Sequence, residues 1–486
     1  MWNNGDIMIS CCNKERHEDT INTLIIIGGG STAFSAATRA VELGAEKVTI
    51  INDGLPTGGT CVNVGCVPSK TLIRAAESVY RANHNPFTGV QTHGRVTDFS
   101  AIIEDKCRLV AELRQSKYVD VIRDLPQVRL IEGHAKLLDA HTVVMEKMRI
   151  TADHILIATG ATAAIPEIPG LVEADYLTNE SAFALETLPE SLIVLGGRYI
   201  ALECAQMFAR FGSRVTILQR SDRILPAESA DITDALSGYL TDEGLEIVTG
   251  VTFEQVHREK RKVIVTTRIK GELREFAAAQ ILVATGRSPN SRDMGLETAG
   301  VLLDDRGFVQ VSPTLQTTLH DVWAAGDVLG KNMFVYTAAY EGALAVENML
   351  TKANRAVNYT ALPWVIFTDP QVAGVGLDER QAQAAGYNAE TAILPLKYVP
   401  RAIAARDTRG LIKLIRDKNT DLLLGARIIA PEGSELLMEL ALAIKFGITV
   451  TQLRNSLHAY LTLGEGVKLA AITFGKDVSQ LSCCAT

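Results

Sequence analysis

The chain has 486 residues, of which 47% are hydrophobic and 21% are charged, so it is long enough for about three globular domains. Its formal net charge of −8 supplies no general attraction to nucleic acid or to an anionic membrane surface. The chain contains no apolar run of the roughly 18 residues that span a bilayer, and its polar start lacks an apolar secretory core. We therefore expect a cytoplasmic protein with a loose N-terminal tail at residues 1–20.

The eight cysteines of the chain form three pairs and two single residues. In a long chain without an export signal, cysteines favour function over a disulfide framework. The pairs are Cys11–Cys12, Cys61 with Cys66, and Cys483–Cys484. The single residues, Cys107 and Cys204, lie in helix-like segments, where we expect them to pack as small apolar side chains.

The first predicted strand, at residues 23–27, runs into a glycine-rich turn. The turn opens an alanine-rich helix to about residue 43, and a second strand follows at 48–51. A strand, a G-x-G-x-x-A turn, a helix and a strand ending in polar residues are typical of dinucleotide binding, because the glycines let the backbone approach a pyrophosphate. The candidate contacts are Gly28, Gly30, Ser31, Ala33, Asn52 and Asp53, with Asp53 able to bind the ribose in place of Asn52.

Cys61 and Cys66 stand five residues apart between a glycine turn and a predicted helix start. A regular helix rises about 7.5 Å over five residues, whereas a disulfide needs Cα atoms closer than about 7 Å. A bridge therefore requires a distorted first turn, which Gly65 and Pro68 suit. A helix N-terminus also lowers the pKa of a thiol. The pattern favours a reactive dithiol over a zinc site, since no second cysteine pair or histidine cluster stands nearby in the sequence.

The strand–glycine–helix–strand unit repeats at residues 191–218, with accessory strands at 155–160 and 281–286. Two dinucleotide sites beside a dithiol imply electron transfer from nicotinamide to flavin to sulfur. The second repeat ends in Gln219 and Arg220 rather than in an acid, and an arginine there accommodates the 2′-phosphate of NADP. The alternative is that Arg220 is a solvated surface charge. Arg198, at the middle glycine position, must turn outward if it is not to crowd the pyrophosphate.

The segment Trp323–Asp327 marks an expected return to the first nucleotide unit, with Asp327 placed to bind a ribityl chain. From about residue 362 the composition changes to β-like runs at 392–397, 411–415 and 422–429, with helices at 379–385 and 434–446. This pattern predicts a sheet-and-helix domain without a nucleotide site, and interface formation is a plausible use for it.

The stretches at 59–70, 460–462, 465–470 and 481–484 resemble those of the flavin-dependent disulfide reductase superfamily (class I pyridine nucleotide-disulfide oxidoreductases), and most closely its mercuric reductase branch. The resemblance extends from about residue 23 to the end. It implies an α/β fold with two Rossmann-like domains and a C-terminal α+β dimerisation domain. The implied boundaries are 1–20 for the tail, 21–170 and 293–358 for FAD binding, 171–292 for NADPH binding, 359–478 for dimerisation, and 479–486 for a Cys-Cys tail.

The resemblance further implies FAD in the first domain, NADPH in the second, and a homodimer whose subunits share active sites. Lys70 is expected near the flavin, paired with Glu203. The remaining implied cofactor contacts are Gly59, Thr60, Ala135, Thr159, Gly160, Gly196, Tyr199, Ile200, Gln219, Arg220, Gly286, Asp327 and Val335.

One position separates substrate classes within the superfamily. Where disulfide reductases carry an acid–base histidine, this chain has Tyr460, followed by Glu465, and His458 stands two residues early. Proton transfer near neutral pH suits histidine and not tyrosine, whose pKa is about 10. Reduction of a thiolate-bound soft metal ion does not need that proton.

The resemblance therefore implies Hg(II)–thiol complexes as substrate, with Cys66 facing the flavin and Cys61 outermost. Cys483 and Cys484 would bind the ion first and pass it across the subunit interface, and Tyr199 and Tyr460 would flank its path. For Tyr199, a gate over the flavin is favoured over a metal ligand. Cys11–Cys12 is interpreted as a chance feature of the tail rather than a metal-binding pair. The alternatives are a large thioredoxin reductase, which keeps the histidine, and a thiol metal buffer without catalysis.

Overall fold

The computed structural model describes residues 22–478. Up to residue 182 the elements are β1 (Thr23–Ile27), α1 (Ser31–Glu42), β2 (Lys47–Asn52), α2 (Gly59–Asn63), α3 (Cys66–Asn83), α4 (Phe99–Arg114), α5 (Asp120–Arg123), β3 (Val128–Glu132), β4 (Lys136–Leu137), β5 (Thr142–Met145), β6 (Met148–Thr151), β7 (His154–Ile157), β8 (Ala161–Ala163) and α6 (Asn179–Ala182). From residue 191 to residue 299 they are β9 (Ser191–Leu195), α7 (Tyr199–Phe211), β10 (Arg214–Gln219), α8 (Ala230–Asp242), β11 (Glu246–Thr249), β12 (Val251–Glu259), β13 (Lys262–Ile269), β14 (Glu272–Ala278), β15 (Gln280–Val283), β16 (Arg287–Pro289) and α9 (Leu296–Ala299).

The remaining elements are β17 (Val322–Ala324), α10 (Val335–Thr351), β18 (Trp364–Ile366), β19 (Gln371–Gly376), α11 (Glu379–Ala384), β20 (Ala389–Pro395), α12 (Pro400–Ala404), β21 (Leu411–Asp417), β22 (Leu423–Ala430), α13 (Leu437–Lys445), α14 (Val450–Asn455) and α15 (Glu465–Ile472). A π-helical turn covers Gln115–Val119, and 3₁₀ turns cover Asp327–Leu329, Leu396–Tyr398 and Gly433–Leu436.

The first sheet is parallel and has the strand order β17-β7-β1-β2-β3. Ile27 on the central strand lies opposite Ile51 on one side and Ile157 on the other. Strands β1, β2 and β7 are almost entirely buried, as their continuous apolar runs predict, because α1, α10 and the small sheet β4-β5-β6 pack in the same apolar cluster. The pairing of β17 with β7 confirms the expected return of the chain at Trp323.

The second sheet repeats this plan in the order β11-β10-β9-β15. Leu195 lies between Leu218 and Val283 in register, so the accessory strand predicted at 281–286 pairs as its counterpart does in the first sheet. A three-stranded antiparallel sheet, β12-β13-β14, follows β11. The two alternating α/β units confirm the predicted fold class.

The third part is an antiparallel sheet in the order β18-β19-β22-β21-β20, covered by α13 and α15. Sequence reasoning missed β18 and β19. Gly374 and Gly376 within β19 weaken its strand pattern. This part also exposes large apolar side chains, with Phe446 70% and Leu457 98% exposed, which is typical of a surface that another chain covers.

Two further sequence expectations concern single features. Within residues 22–478, no helix is both long and apolar enough to cross a membrane. Cys204 is buried in α7 as predicted, but the prediction for Cys107 is wrong, because its side chain is exposed on α4. The domain boundaries drawn from the resemblance stay a prediction.

Candidate active site

The two glycine loops have the same geometry. Gly28 and Gly196 have φ angles of 121° and 119°, and a Cβ on either would overlap the carbonyl oxygen of Ala158 or Ala284 on the adjoining strand. Only glycine satisfies both constraints. Each loop thus runs close over its sheet and leads into the N-terminus of a long helix, α1 or α7, whose free N–H groups favour a pyrophosphate.

The first loop is in direct contact with the dithiol segment. The Gly58 N–H donates to the Gly29 carbonyl at 2.8 Å, and a Cβ on Gly59 would lie 2.7 Å from the Gly30 Cα. The backbone before Cys61 is therefore pressed against the loop predicted to cradle the FAD pyrophosphate. This contact places the cysteines at the expected cofactor site.

The two polar residues at the end of β2 differ in their surroundings. Asn52 is buried, and its amide donates to the Leu55 carbonyl and to Glu132, both at 2.9 Å. Asp53 is exposed and accepts a 2.8 Å hydrogen bond from His134, an interaction that raises the pKa of the imidazole. Asp53 is thus accessible to a ribose, whereas Asn52 closes the end of the strand.

Several predicted cofactor contacts line the carboxyl edge of the first sheet. The Thr159 hydroxyl is buried without a hydrogen-bond partner in the part of the chain that the structure describes, and so is that of Thr337, which sequence reasoning missed. Unpaired buried hydroxyls are costly and mark a place for a polar ligand. Other predicted contacts also have defined positions: Ala135 is buried, Gly160 and Gly286 have positive φ angles, Ser31 and Ala33 lie in α1, and Val335 opens α10.

Asp327 begins a 3₁₀ turn at this edge, and burial raises the pKa of its carboxyl against the opposing charge of Arg287. Glu341 holds the preceding residue, since it accepts the Gly326 N–H at 2.7 Å and the Tyr359 hydroxyl at 2.6 Å. Burial raises the pKa of Glu341 to about 7. Sequence reasoning missed Glu341 and Arg287, and no motif marks either residue.

The cysteines lie on either side of a break in the helix. Helix α2 ends at Asn63, and α3 begins at Cys66 after Gly65, whose φ and ψ of −120° and −108° are not helical. The distorted turn predicted from Gly65 is confirmed. Both cysteines are free thiols, with Cys61 partly buried and Cys66 exposed. Cys66 is also the first residue of an 18-residue helix, the position that most favours a thiolate.

Each thiol shifts the ionisation of the other, and the two shifts are in opposite directions. A hydrogen bond from Cys61, aided by the positive charge of Lys70, lowers the pKa of Cys66 to about 7 against the opposing effect of burial. The same hydrogen bond and burial raise the pKa of Cys61. Near neutral pH, Cys66 is therefore the nucleophilic partner and Cys61 keeps its proton.

The predicted contact between Lys70 and Glu203 is present. The Lys70 ammonium lies 2.6 Å from Glu203 Oε2, and it also lies 4.6 Å from the ring centroid of Phe367. The other carboxylate oxygen of Glu203 accepts the Phe367 N–H at 2.9 Å. A buried carboxylate needs such partners, and here they hold the lysine beside the dithiol.

The second nucleotide loop presents a basic edge. Gln219 is buried beneath the loop, whereas Arg220, directly after β10, is exposed. Arg198 is also exposed, so its side chain turns outward and does not crowd the loop. Ile200 and half-buried Tyr199 begin α7, and burial raises the pKa of Tyr199 to about 12.

The segment before α15 carries the expected substitution for histidine. Tyr460 is 54% exposed, in the apolar surface region that includes Leu457. His458 is bound to Glu439 through Nε2 at 2.7 Å, so its imidazole is already engaged. Glu465, at the start of α15, is buried with one carboxylate oxygen, Oε2, lacking a hydrogen-bond partner among the described residues.

Two predicted thiol pairs, Cys11–Cys12 and Cys483–Cys484, lie outside the described residues. Between residues 22 and 478, no group of three histidine, cysteine or acidic side chains is arranged to hold a metal ion.

Tyr118 is a residue that sequence reasoning missed. It lies in the π-helical turn, 3.4 Å from the Ser31 hydroxyl and edge-on to Phe34, so it covers the first glycine loop.

Comparison with known proteins agrees with this geometry. Residues 22–342 match the family model "Pyridine nucleotide-disulphide oxidoreductase", and residues 362–471 match its dimerisation domain. The mercuric reductase of Staphylococcus aureus is 44% identical over 95% of this chain and 84% of its own length. That of Streptomyces lividans is 42% identical over 95% of this chain and 98% of its own.

Solved structures give the same fold. The Cu(II) complex of the HOCl-induced flavoprotein disulfide reductase RclA from Escherichia coli has a TM-score of 0.84 and 29% identity, covering 94% of this chain and 100% of that one. LpdA from Mycobacterium tuberculosis has a TM-score of 0.82 and 26% identity, with the same coverage.

The two glycine loops, the dithiol and the family match together define a pyridine nucleotide-disulphide oxidoreductase with its dimerisation domain. Sequence identities above 40% to mercuric reductases, over nearly the whole chain, narrow this class to one family. The chain belongs to the mercuric reductase family.

Proposed function

We propose that this chain reduces thiol-bound Hg(II) to Hg(0) with electrons from NADPH, through FAD and the Cys61–Cys66 pair. The overall reaction, Hg²⁺ + NADPH → Hg(0) + NADP⁺ + H⁺, transfers two electrons and releases one proton. The observation that carries the proposal is a free thiol pair packed against the first dinucleotide loop, in a chain where tyrosine stands at the position of the acid–base histidine.

The first loop and its surroundings fit FAD. The glycine cradle leaves no room for a Cβ at Gly28, and the hydroxyls of Thr159 and Thr337 offer hydrogen bonds that no residue between 22 and 478 uses. The loop would hold the pyrophosphate, Asp53 a ribose, and Asp327 the ribityl chain. Bound FAD supplies a two-electron carrier between nicotinamide and sulfur. The second loop would hold NADPH, with Arg220 on the 2′-phosphate.

The dithiol binds the metal because Hg(II) is soft and prefers thiolate ligands. Cys66 is about half ionised at its pKa of about 7, so one thiolate is available at neutral pH. Coordination to the metal displaces the proton that Cys61 holds, as it does for metal-bound thiols generally. Lys70, fixed by Glu203, stabilises the anionic form of the pair.

The residues around the dithiol favour a metal over an organic disulfide. A disulfide substrate needs a proton for the leaving thiolate, and neither tyrosine supplies one readily near pH 7. The raised pKa of Tyr199 keeps its hydroxyl protonated, so it acts as a gate or hydrogen-bond donor rather than as a phenolate ligand. His458 does not replace the missing base, because its Nε2 is bound to Glu439 and its Nδ1 lies 3.3 Å from the Ser456 carbonyl oxygen, so both ring nitrogens are engaged.

Delivery of the metal would use the C-terminal thiols. We place Cys483 and Cys484 as the first acceptors of Hg(II), which pass the ion to the dithiol of the other subunit by ligand exchange. Tyr460, on the exposed apolar surface of the dimerisation part, would then border the entrance of the shared site. The reaction is proposed to occur in the cytoplasm, where thiols stay reduced.

The test is an Hg(0) release assay on the purified, yellow protein, with NADPH oxidation followed in parallel. We expect rapid turnover with Hg(II) in excess small thiol and little with oxidised glutathione or thioredoxin. The variants C61A and C66A should lose metal reduction, whereas C107A, which removes an exposed cysteine from α4, should retain it. Faster NADPH oxidation with the disulfides than with Hg(II) would reassign the chain to a disulfide reductase. A colourless protein that contains no flavin would leave only the alternative of a thiol metal buffer without catalysis.

A further inference from the structure

Five planar groups form one continuous stack beside the second nucleotide loop. The Arg427 guanidinium lies 5.5 Å from the Trp364 ring centroid, and Trp364 stacks on Tyr199 at 5.9 Å with an 11° angle between the rings. Tyr199 stacks on Phe334 at 6.0 Å and 18°, and Phe334 on Tyr336 at 5.4 Å and 4°. Tyr199 is thus stacked on two aromatic rings, those of Trp364 and Phe334.

The stack joins three parts of the molecule. Arg427 and Trp364 lie on strands β22 and β18 of the C-terminal sheet, and Tyr199 is the first residue of α7, directly after the second glycine loop. Phe334 is the N-cap residue of α10, whose segment borders the predicted flavin site. The ring of Tyr199 therefore contacts both the C-terminal sheet, through Trp364, and the segment beside the predicted flavin site, through Phe334.

Trp364 is held rigidly. A Cβ on Gly374 would overlap the indole, so glycine at that position is what makes room for the ring. Arg427, whose guanidinium lies over the indole, is buried and donates to Glu228 Oε2 at 2.7 Å. With its neighbours fixed, the indole is a firm surface, and Tyr199 is the half-buried member of the stack beside the nucleotide loop.

The spacing leaves no room for another ring. A flat ring inserted between two parallel rings needs about 3.5 Å on each side, or about 7 Å in all. The centroids beside Tyr199 are only 5.9 and 6.0 Å away. A nicotinamide that enters the stack next to Tyr199 must therefore displace the tyrosine ring.

We propose that Trp364 is a positioning residue that holds the Tyr199 ring in its stacked, closed position, so that NADPH binds only by breaking the Trp364–Tyr199 stack. This inference rests on the proposed nicotinamide site and goes beyond it, because it assigns control of nucleotide access to a residue of the C-terminal sheet. A ligand that binds only the open state binds more weakly, by the factor with which the free protein prefers the closed state. Loss of one aromatic stack should tighten nucleotide binding about threefold to tenfold.

The experiment uses the FAD-loaded dimer and NADP⁺, so it needs neither Hg(II) nor turnover. Besides Trp364, the chain contains Trp2 and Trp323. In the W2F/W323F protein Trp364 is the remaining tryptophan, and we expect NADP⁺ to change its fluorescence. In the W364F protein, which keeps Trp2 and Trp323, we expect NADP⁺ to cause no such change. By calorimetry, W364L should bind NADP⁺ about threefold to tenfold more tightly, and W364F, which restores a ring, should bind like the unmodified protein.

Flavin content and thermal unfolding of each variant show whether it is folded. Unchanged or weaker NADP⁺ binding in W364L with flavin retained, or no fluorescence change in the W2F/W323F protein, would overturn the proposal. If W364L loses its flavin, the fluorescence titration of the folded W2F/W323F protein decides alone. A protein that shows both effects but does not reduce Hg(II) would refute the proposed reaction and leave the positioning role standing.

Discussion

Replacing Cys61 by alanine tests which interaction lowers the pKa of Cys66, and the test does not require turnover. The hydrogen bond from Cys61 is the largest influence lowering the pKa of Cys66, ahead of the charge of Lys70. Its removal should return the Cys66 pKa toward the ordinary value of about 8.5. At pH 7 the thiolate fraction would then fall from about one half to about 3%, a change of about 15-fold.

The assay is alkylation of Cys66 by iodoacetamide across a pH series, followed on the Cys66 peptide by mass spectrometry. Because only the thiolate reacts, C61A should react about 15-fold more slowly than the unmodified protein at pH 7 and at a similar rate above about pH 9.5, where Cys66 is ionised in both proteins. The two proteins are compared at the same FAD content, so access to Cys66 is matched and the ratio of the rates reports its ionisation.

Two matched variants separate the contributions. C61S keeps a hydroxyl donor at the same place and should retain much of the lowered pKa, because an O–H donor also stabilises the thiolate. K70M removes the positive charge but not the hydrogen bond, so the pKa should rise by less than in C61A. If Cys66 of C61A still titrates near pH 7, or if K70M has the larger effect, the assignment of the hydrogen bond as the main cause is wrong.

Three further predictions concern the tail, the interior and the cofactor. The double variant C483A/C484A should leave flavin reduction by NADPH normal and slow turnover with thiol-bound Hg(II), as measured by Hg(0) release. R210M removes one of the two arginines that pair with the buried carboxylates of Glu243 and Asp369, while Arg409 stays in contact with both. It should lower the free energy of unfolding by about 1–3 kcal/mol in urea denaturation, whereas exposed Arg214→Met should change it by less than about 0.5 kcal/mol. R220Q should raise the KM for NADPH on the order of tenfold and leave the KM for NADH nearly unchanged.

Each of these has a contrary outcome. Unchanged turnover without the tail thiols removes their role in delivery. A loss of stability in R210M no larger than in R214M would show that the buried ion pairs contribute little. Equal effects of R220Q on the two nucleotides would make Arg220 a surface charge, the alternative that its sequence position left open.

The parts of the site that sequence predicts are those whose constraints are local. Gly28 and Gly196 need positive φ angles and a close approach to the next strand, so a short pattern reports them. The break at Gly65 is also local, since it follows from the spacing of the cysteines. The strands predicted at 23–27, 48–51 and 191–195 agree with β1, β2 and β9 within one residue for the same reason, because buried parallel strands are short continuous apolar runs. The accessory strands predicted at 155–160 and 281–286 end three residues earlier, at Ile157 and Val283.

Contacts between distant segments leave no such pattern. Lys70 meets Glu203 across 133 positions, and only the family resemblance suggested the pair. Tyr118 reaches Ser31 from a π-helical turn, and Trp364 reaches Tyr199 from the C-terminal sheet. Hydrophobic periodicity describes the face that an element buries and not the element it is buried against, so these three contacts required the fold.

Helix α7 explains why the C-terminal sheet matters to the chemistry of the dithiol. Along one face, Glu203 accepts the Phe367 N–H, Gln206 exchanges two 2.8 Å hydrogen bonds with the Asp369 backbone, and Arg210 binds the Asp369 carboxylate at 3.0 Å. These residues are spaced three and four apart, so a single rigid helix fixes the 367–369 segment and the carboxylate that holds Lys70 at the same time. The position of the charge beside Cys66 is therefore set by packing between the second nucleotide unit and the C-terminal sheet.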